Sequence, residues 1–177
     1  MNRCLPALLF AVACAPDIGP DGDGSTDGGP ATSSFTVDGV IFATIDATSE
    51  DDWVPYSFAE QGVVEPADAD LSFQRYRVAL GDGVEVARLP GEDLQTVVAP
   101  DDGWLVDADD PVDDEHYALF EWYDYNPADH TLSPKDEVIV VRLPSGTDVA
   151  MAFDGYYDDA GTPGYVAFRW TTIGSAR

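Results

Sequence analysis

Apart from its 34 carboxylates, this 177-residue sequence has few side chains that can bind a metal or move a proton at neutral pH: His116, His130, and two Cys at positions 4 and 14. A hydrolytic triad needs a nucleophile on a sharp turn and a His to take its proton. No G-x-S-x-G is present, and both His lie in loop-like surroundings. Zinc would need H-E-x-x-H or paired Cys, and a nucleotide would need a glycine-rich loop after a strand. Neither pattern occurs. Carboxylate pairs can be drawn anywhere among 34 acids, so no pair carries information. The run Asp21 to Asp27 suggests calcium, but the sixth and twelfth positions of such a loop, where Gly and Glu belong, are Thr26 and Thr32. The expectation is a binding or structural protein and not an enzyme.

The charge narrows the partners. Against the 34 acids stand Lys135 and seven Arg, giving a net charge of −26. Nucleic acid would be repelled, because no basic patch can be assembled to release counterions.

Residues 1–13, MNRCLPALLFAVA, have the outline of a secretory signal: one Arg, an apolar stretch too short to span a bilayer, then small residues. Ala11-Val12-Ala13-Cys14 resembles a bacterial lipobox, in which Cys14 would be acylated. Ordinary cleavage after Ala-Val-Ala fits the same residues. Ala15 differs from the Asp that retains lipoproteins at the inner membrane, so the expected address is the outer membrane or cell surface of a Gram-negative bacterium. Residues 14–34 are an acylated Cys followed by Pro, Gly, Asp, Ser and Thr, a flexible acidic tether.

The elements that must position any site lie in residues 35–177. Apolar residues there alternate or form short β-branched runs broken by turn residues, without a sustained helical period. Hairpins are expected around Asp38-Gly39, around Gly81-Asp82-Gly83 between Phe73–Leu80 and Val84–Leu89, and around Pro144-Ser145-Gly146. Tyr165–Thr172 reads as a last strand. Glu92–Val98 is short and reads as a helical turn, and 101–116 is an acidic loop too charged for core. The fold class is all-β, an antiparallel meander or sandwich with few or no helices.

Three blocks resemble the HmuY family of bacterial surface lipoproteins, whose founding members bind haem. They are Ile45-Asp46-Ala47-Thr48 through Trp53-Val-Pro-Tyr56-Ser-Phe58; Asp70-Leu-Ser-Phe73-Gln74-Arg75-Tyr76-Arg77-Val78 with Gly81-Asp-Gly83; and Trp122 through His130, Lys135 and Arg142 to Tyr156-Tyr157-Asp158, closing on Phe168-Arg169-Trp170. The resemblance implies an all-β domain, a lipid anchor, and non-covalent capture of haem or a similar flat hydrophobic ligand in iron acquisition, with an outer-membrane receptor as a possible partner.

In the family, iron is held axially by a pair of His or Met side chains, one of them just before Arg-Tyr. Gln74 stands there, a poor iron donor. By type, the remaining candidates for haem are His130, His116, Met151 and Tyr76. Each also has a plain reading: His130 satisfying backbone groups in a turn, His116 charge-paired beside three acids, and Met151 packed with Val149 and Phe153 on one strand face. Arg75, Arg77, Arg142 and Arg169 either neutralise propionates or pair with surplus acids. Beyond residue 34 there remain 30 acids and 7 bases, an unfavourable far field for an anionic ligand. The alternative function is an envelope interaction or structural lipoprotein that keeps the fold and has lost haem ligation.

Overall fold

The computed structural model describes residues 32–109 and 113–174. The signal, Cys14 and nearly all of the tether therefore lie outside the described residues. The strands are β1 (Thr32–Val37), β2 (Val40–Asp46), β3 (Val54–Ser57), β4 (Gly62–Val63), β5 (Leu71–Gln74), β6 (Arg77–Leu80), β7 (Glu85–Pro90), β8 (Tyr123–Asn126), β9 (Thr131–Pro134), β10 (Glu137–Arg142), β11 (Asp148–Tyr157) and β12 (Pro163–Thr172). Two short 3-10 turns, Pro66–Asp68 and Asp114–His116, are the only helical elements among the described residues. β1 thus begins three residues inside the stretch read from sequence as tether.

The pairing is antiparallel throughout: a six-stranded sheet in the order β1-β2-β12-β11-β10-β7, a four-stranded sheet β4-β3-β5-β6, and the separate hairpin β8-β9. Asp38 and Gly39 both have positive φ, 50° and 81°, the turn geometry that matches strand twist in a two-residue hairpin. The Pro144–Gly146 turn also joins a hairpin, β10 to β11.

The expected hairpin at Gly81–Gly83 does not form. Phe73–Leu80 is itself a hairpin, β5-β6, turning at Arg75-Tyr76, and the following glycines carry the chain from the small sheet to the large one. Gly81 is needed there for close approach, since a Cβ would lie 2.0 Å from the Ala69 carbonyl oxygen.

Alternation explains the core. Ile41, Ala43 and Ile45 of β2, Val149, Met151 and Phe153 of β11, and Val166, Phe168 and Trp170 of β12 face Val54, Tyr56, Leu71 and Phe73 of the small sheet. Phe73 stacks on Phe168 at 5.5 Å, and Trp170 donates its indole N–H to the buried Tyr56 hydroxyl at 3.1 Å. The Val138–Val141 run is buried on both sides of the sheet, which is why it does not alternate with polar residues. Leu94, Val97 and Trp104, from the segment after β7, pack with the outer side of β10 and β11. Residues 92–98 are a turn, with Val97 N–H donating to the Asp93 carbonyl at 2.9 Å. The acidic loop is tied down as well: Leu105 bridges Val86, and Asp107 accepts from the N–H groups of Leu80 and Ala118.

Candidate functional site

The β5-β6 turn is where the family resemblance places an iron donor, and here it is closed by its own bonds. Arg75 has φ 53° and is held by a bond from its N–H to the Ala47 carbonyl, 2.8 Å, and by its guanidinium on the Thr48 and Pro163 carbonyls. The buried Gln74 accepts from Arg77 at 3.2 Å. Arg77 pairs with Asp114 at 2.7 Å, and the Tyr76 hydroxyl donates to the other oxygen of the same carboxylate at 3.0 Å. Trp122 fixes the Tyr76 carbonyl with an indole bond of 2.8 Å. The space left among Tyr76, Arg77, Asp114 and Tyr117 is about 10 Å³, no more than one water requires. Burial, and then the bond to Asp114, raises the pKa of Tyr76, while the same carboxylate raises that of Arg77. Both therefore keep their protons at neutral pH.

His116 ends the 3-10 turn whose first residue after the cap is Asp114. Its Nδ1 meets the Asp113 carbonyl oxygen. A carbonyl can only accept, so Nδ1 carries a proton, and the lone pair of the corresponding tautomer lies at Nε2. The ring lies 3.8 Å from that of Tyr117, which in turn packs on Trp53.

His130 closes the β8-β9 hairpin at φ 60°, with its N–H on the Asn126 carbonyl and its Nδ1 hydrogen-bonded to the Tyr125 hydroxyl. Tyr123 and Tyr125 are two residues apart on β8 and share a face. Tyr123 meets Tyr76 edge to face at 5.8 Å, which connects this face to the β5-β6 turn. Tyr157 anchors the hairpin, its hydroxyl accepting from the Leu132 N–H at 2.9 Å. The turn expected around His130 is the tip of this hairpin.

The structure therefore joins Tyr76 to His116's turn through Asp114, and Tyr76 to His130's hairpin through Tyr123. No contact joins the two imidazoles to each other among the described residues. Met151 has no exposed surface and sits in the core between its strand partners Ile139 and Trp170. An iron ligand there would require the core to open. Of the four candidate propionate partners, Arg77, Arg142 and Arg169 are paired with Asp114, Asp148 and Asp154, and Arg75 is bonded to carbonyls. Asp114, which ties Tyr76 and Arg77 together, carried no signal in the sequence because it is one acid among 34. No cluster of three or more His, Cys, Asp or Glu able to hold a bare metal ion occurs among the described residues.

Solved structures share this architecture. A candidate lipoprotein of Bacteroides fragilis superposes with a TM-score of 0.61 at 21% identity, over 75% of this chain and 88% of its own. A Bacteroides vulgatus protein described as a candidate HmuY-like haem-binding protein gives 0.61 at 19%, over 75% and 91%. The apo form of a HmuY analogue from Tannerella forsythia gives 0.63 at 13%, over 82% and 98%. No family model matches the chain, and no curated protein does. The chain has the HmuY-like all-β fold that its three sequence blocks imply.

Proposed function

We propose that this chain is an envelope binding module of HmuY-like fold, anchored to the outer membrane through an acylated Cys14 and performing no catalytic step. It takes haem or another flat hydrophobic ligand non-covalently, for delivery to an outer-membrane receptor. The observation that carries this reading is the face on which Tyr76, Tyr123, Tyr125 and His130 stand together at the edge of the β5-β6 turn. Tyrosine rings offer flat apolar surface with a polar tip. His116 supplies a second imidazole beside that turn, and neither Nε2 makes a hydrogen bond among the described residues. Those two Nε2 atoms fit the chemistry of haem iron, whose open faces take neutral imidazole. Bound haem would add visible absorbance and redox activity; the chain's part is to hold the ring and exclude water.

A second reading keeps the fold and drops the iron. It is favoured by Gln74, whose amide is engaged by Arg77 in the position where the family places a donor. The test is Gln74→His. If the chain is a scaffold that lost its donor, the wild type leaves haem unbound and the variant acquires a Soret shift. If the tyrosine face binds haem, the wild type already shows that shift, and it disappears in the double variant His116→Ala, His130→Ala.

A further inference from the structure

The outer side of the six-stranded sheet is covered unevenly. Leu94, Val97 and Trp104 pack with β10 and β11 and reach Val40 and Phe42 of β2, whereas Phe35 and Val37 of β1 remain 61% and 49% exposed. Phe35 stacks flat on Phe42 at 5.0 Å. Phe42 then forms one wall of a groove of about 390 Å³ between the outer side of the sheet and the turn after β7, in the size range of ligand clefts, roughly 300–1,000 Å³.

The floor of that groove is Val40, Phe42, Leu94, Val138 and Ala152. Its rim carries Glu92, Asp93 and Asp136, none of which has a cationic partner among the described residues. The other charges in the lining are already matched, Glu137 by Arg88 and Arg169 by Asp154. Because Val40, Leu94, Val138 and Ala152 are themselves buried, the open apolar surface is the adjoining strip of Phe35, Val37 and Phe42, and the groove sets three unbalanced negative charges beside it.

We propose that this groove binds a basic amphipathic segment of a partner protein, one in which Lys or Arg alternates with large apolar residues. The apolar side chains would cover Phe35, Val37 and Phe42, and the cations would meet the three rim acids. Charge selects this occupant over the two nearest at hand. The chain's own tether carries Asp17, Asp21, Asp23 and Asp27 and no base, and a second copy brings a net charge of −26. Each would set acid against acid across the rim, which disfavours it relative to a basic occupant.

The probe is a fluorescent peptide of alternating Lys and Leu, titrated into the purified chain at physiological salt and followed by anisotropy. Glu92→Gln, Asp93→Asn and Asp136→Asn together should weaken binding about tenfold or more, as expected when a desolvated charge pair is lost. Phe35→Ser should weaken it as well. A control with Asp51→Asn, Asp52→Asn and Glu60→Gln changes the same number of exposed charges on another part of the surface and should leave affinity within about twofold. Equal losses in the two triple variants would reduce the effect to net-charge attraction and overturn the proposal. It is equally overturned if a peptide of Lys and Ser binds as well as one of Lys and Leu, or if the chain sediments as a dimer that Phe35→Ser disperses.

Discussion

His130 and Tyr125 are hydrogen-bonded across the tip of the β8-β9 hairpin, Nδ1 to hydroxyl, with both rings on the exposed side. The bond orients the imidazole, and when the hydroxyl accepts, it leaves the Nε2 lone pair for a metal. Partners of this kind are worth roughly 10–100-fold in metal affinity. Tyr125→Phe should therefore weaken haem binding by about tenfold in a spectroscopic titration. An unchanged dissociation constant would remove His130 from the site.

Met151 should matter to stability and not to ligand. It is fully buried between the two sheets, so Met151→Ala should cost about 2–5 kcal/mol in urea unfolding. The volume-conserving Met151→Leu should cost less than about 1.5 kcal/mol and leave the haem spectrum as it is. A changed spectrum in Met151→Leu would place the sulfur on the iron.

The pair Tyr56 and Trp170 predicts an alkaline limit to stability. Burial pushes the Tyr56 pKa from 10.0 up to about 12, with the Trp170 bond acting in the opposite direction. Below pH 10 the phenol is neutral in both folded and unfolded chains, so the full contribution is present. Above it the unfolded chain ionises first, and stability falls until the folded phenol also titrates near pH 12. The expected loss is about 2–3 kcal/mol over that window. Tyr56→Phe should flatten this part of the curve in denaturant titrations between pH 9 and pH 12. It should also cost about 1–3 kcal/mol at neutral pH through the unpaired indole N–H.

Gly81→Ala tests the crossing between the sheets. With the Ala69 carbonyl oxygen 2.0 Å from the position a Cβ would take, backbone has to move, and a loss of about 2–4 kcal/mol is expected in urea. Gly146→Ala is the comparison: no atom lies within 4 Å of its added Cβ, and the only cost is its φ of 82°, about 1 kcal/mol. Equal losses in the two variants would mean that the close approach does not govern the crossing.

Elements whose geometry is local were legible in the sequence. Asp38-Gly39 and Pro144–Gly146 announce their hairpins because the residues themselves supply the unusual φ, and the Val149, Met151, Phe153 alternation marks a core face correctly. The turn at Arg75-Tyr76 was not legible. It contains neither Gly nor Asn, and Arg75 keeps its positive φ through bonds to Ala47, Thr48 and Pro163, the last 88 residues away. Gly81-Asp82-Gly83 looked like a hairpin for the opposite reason: glycine permits close approach as well as tight turning, and the sequence does not say which use is made of it. The tyrosine face was half visible. Tyr76 and His130 were named, but their meeting through Tyr123 and Tyr125 depends on β8-β9 folding back against the β5-β6 turn, a long-range placement with no local signal.

The direct test of the central claim is a titration of haem into the wild-type chain beside His116→Ala, His130→Ala and the double variant, read in the Soret region. Binding through the tyrosine face predicts a sharpened, red-shifted band at micromolar haem in the wild type, weaker in each single variant and absent in the double one. A wild-type spectrum identical to that of free haem, or a shift that survives loss of both imidazoles, would contradict it.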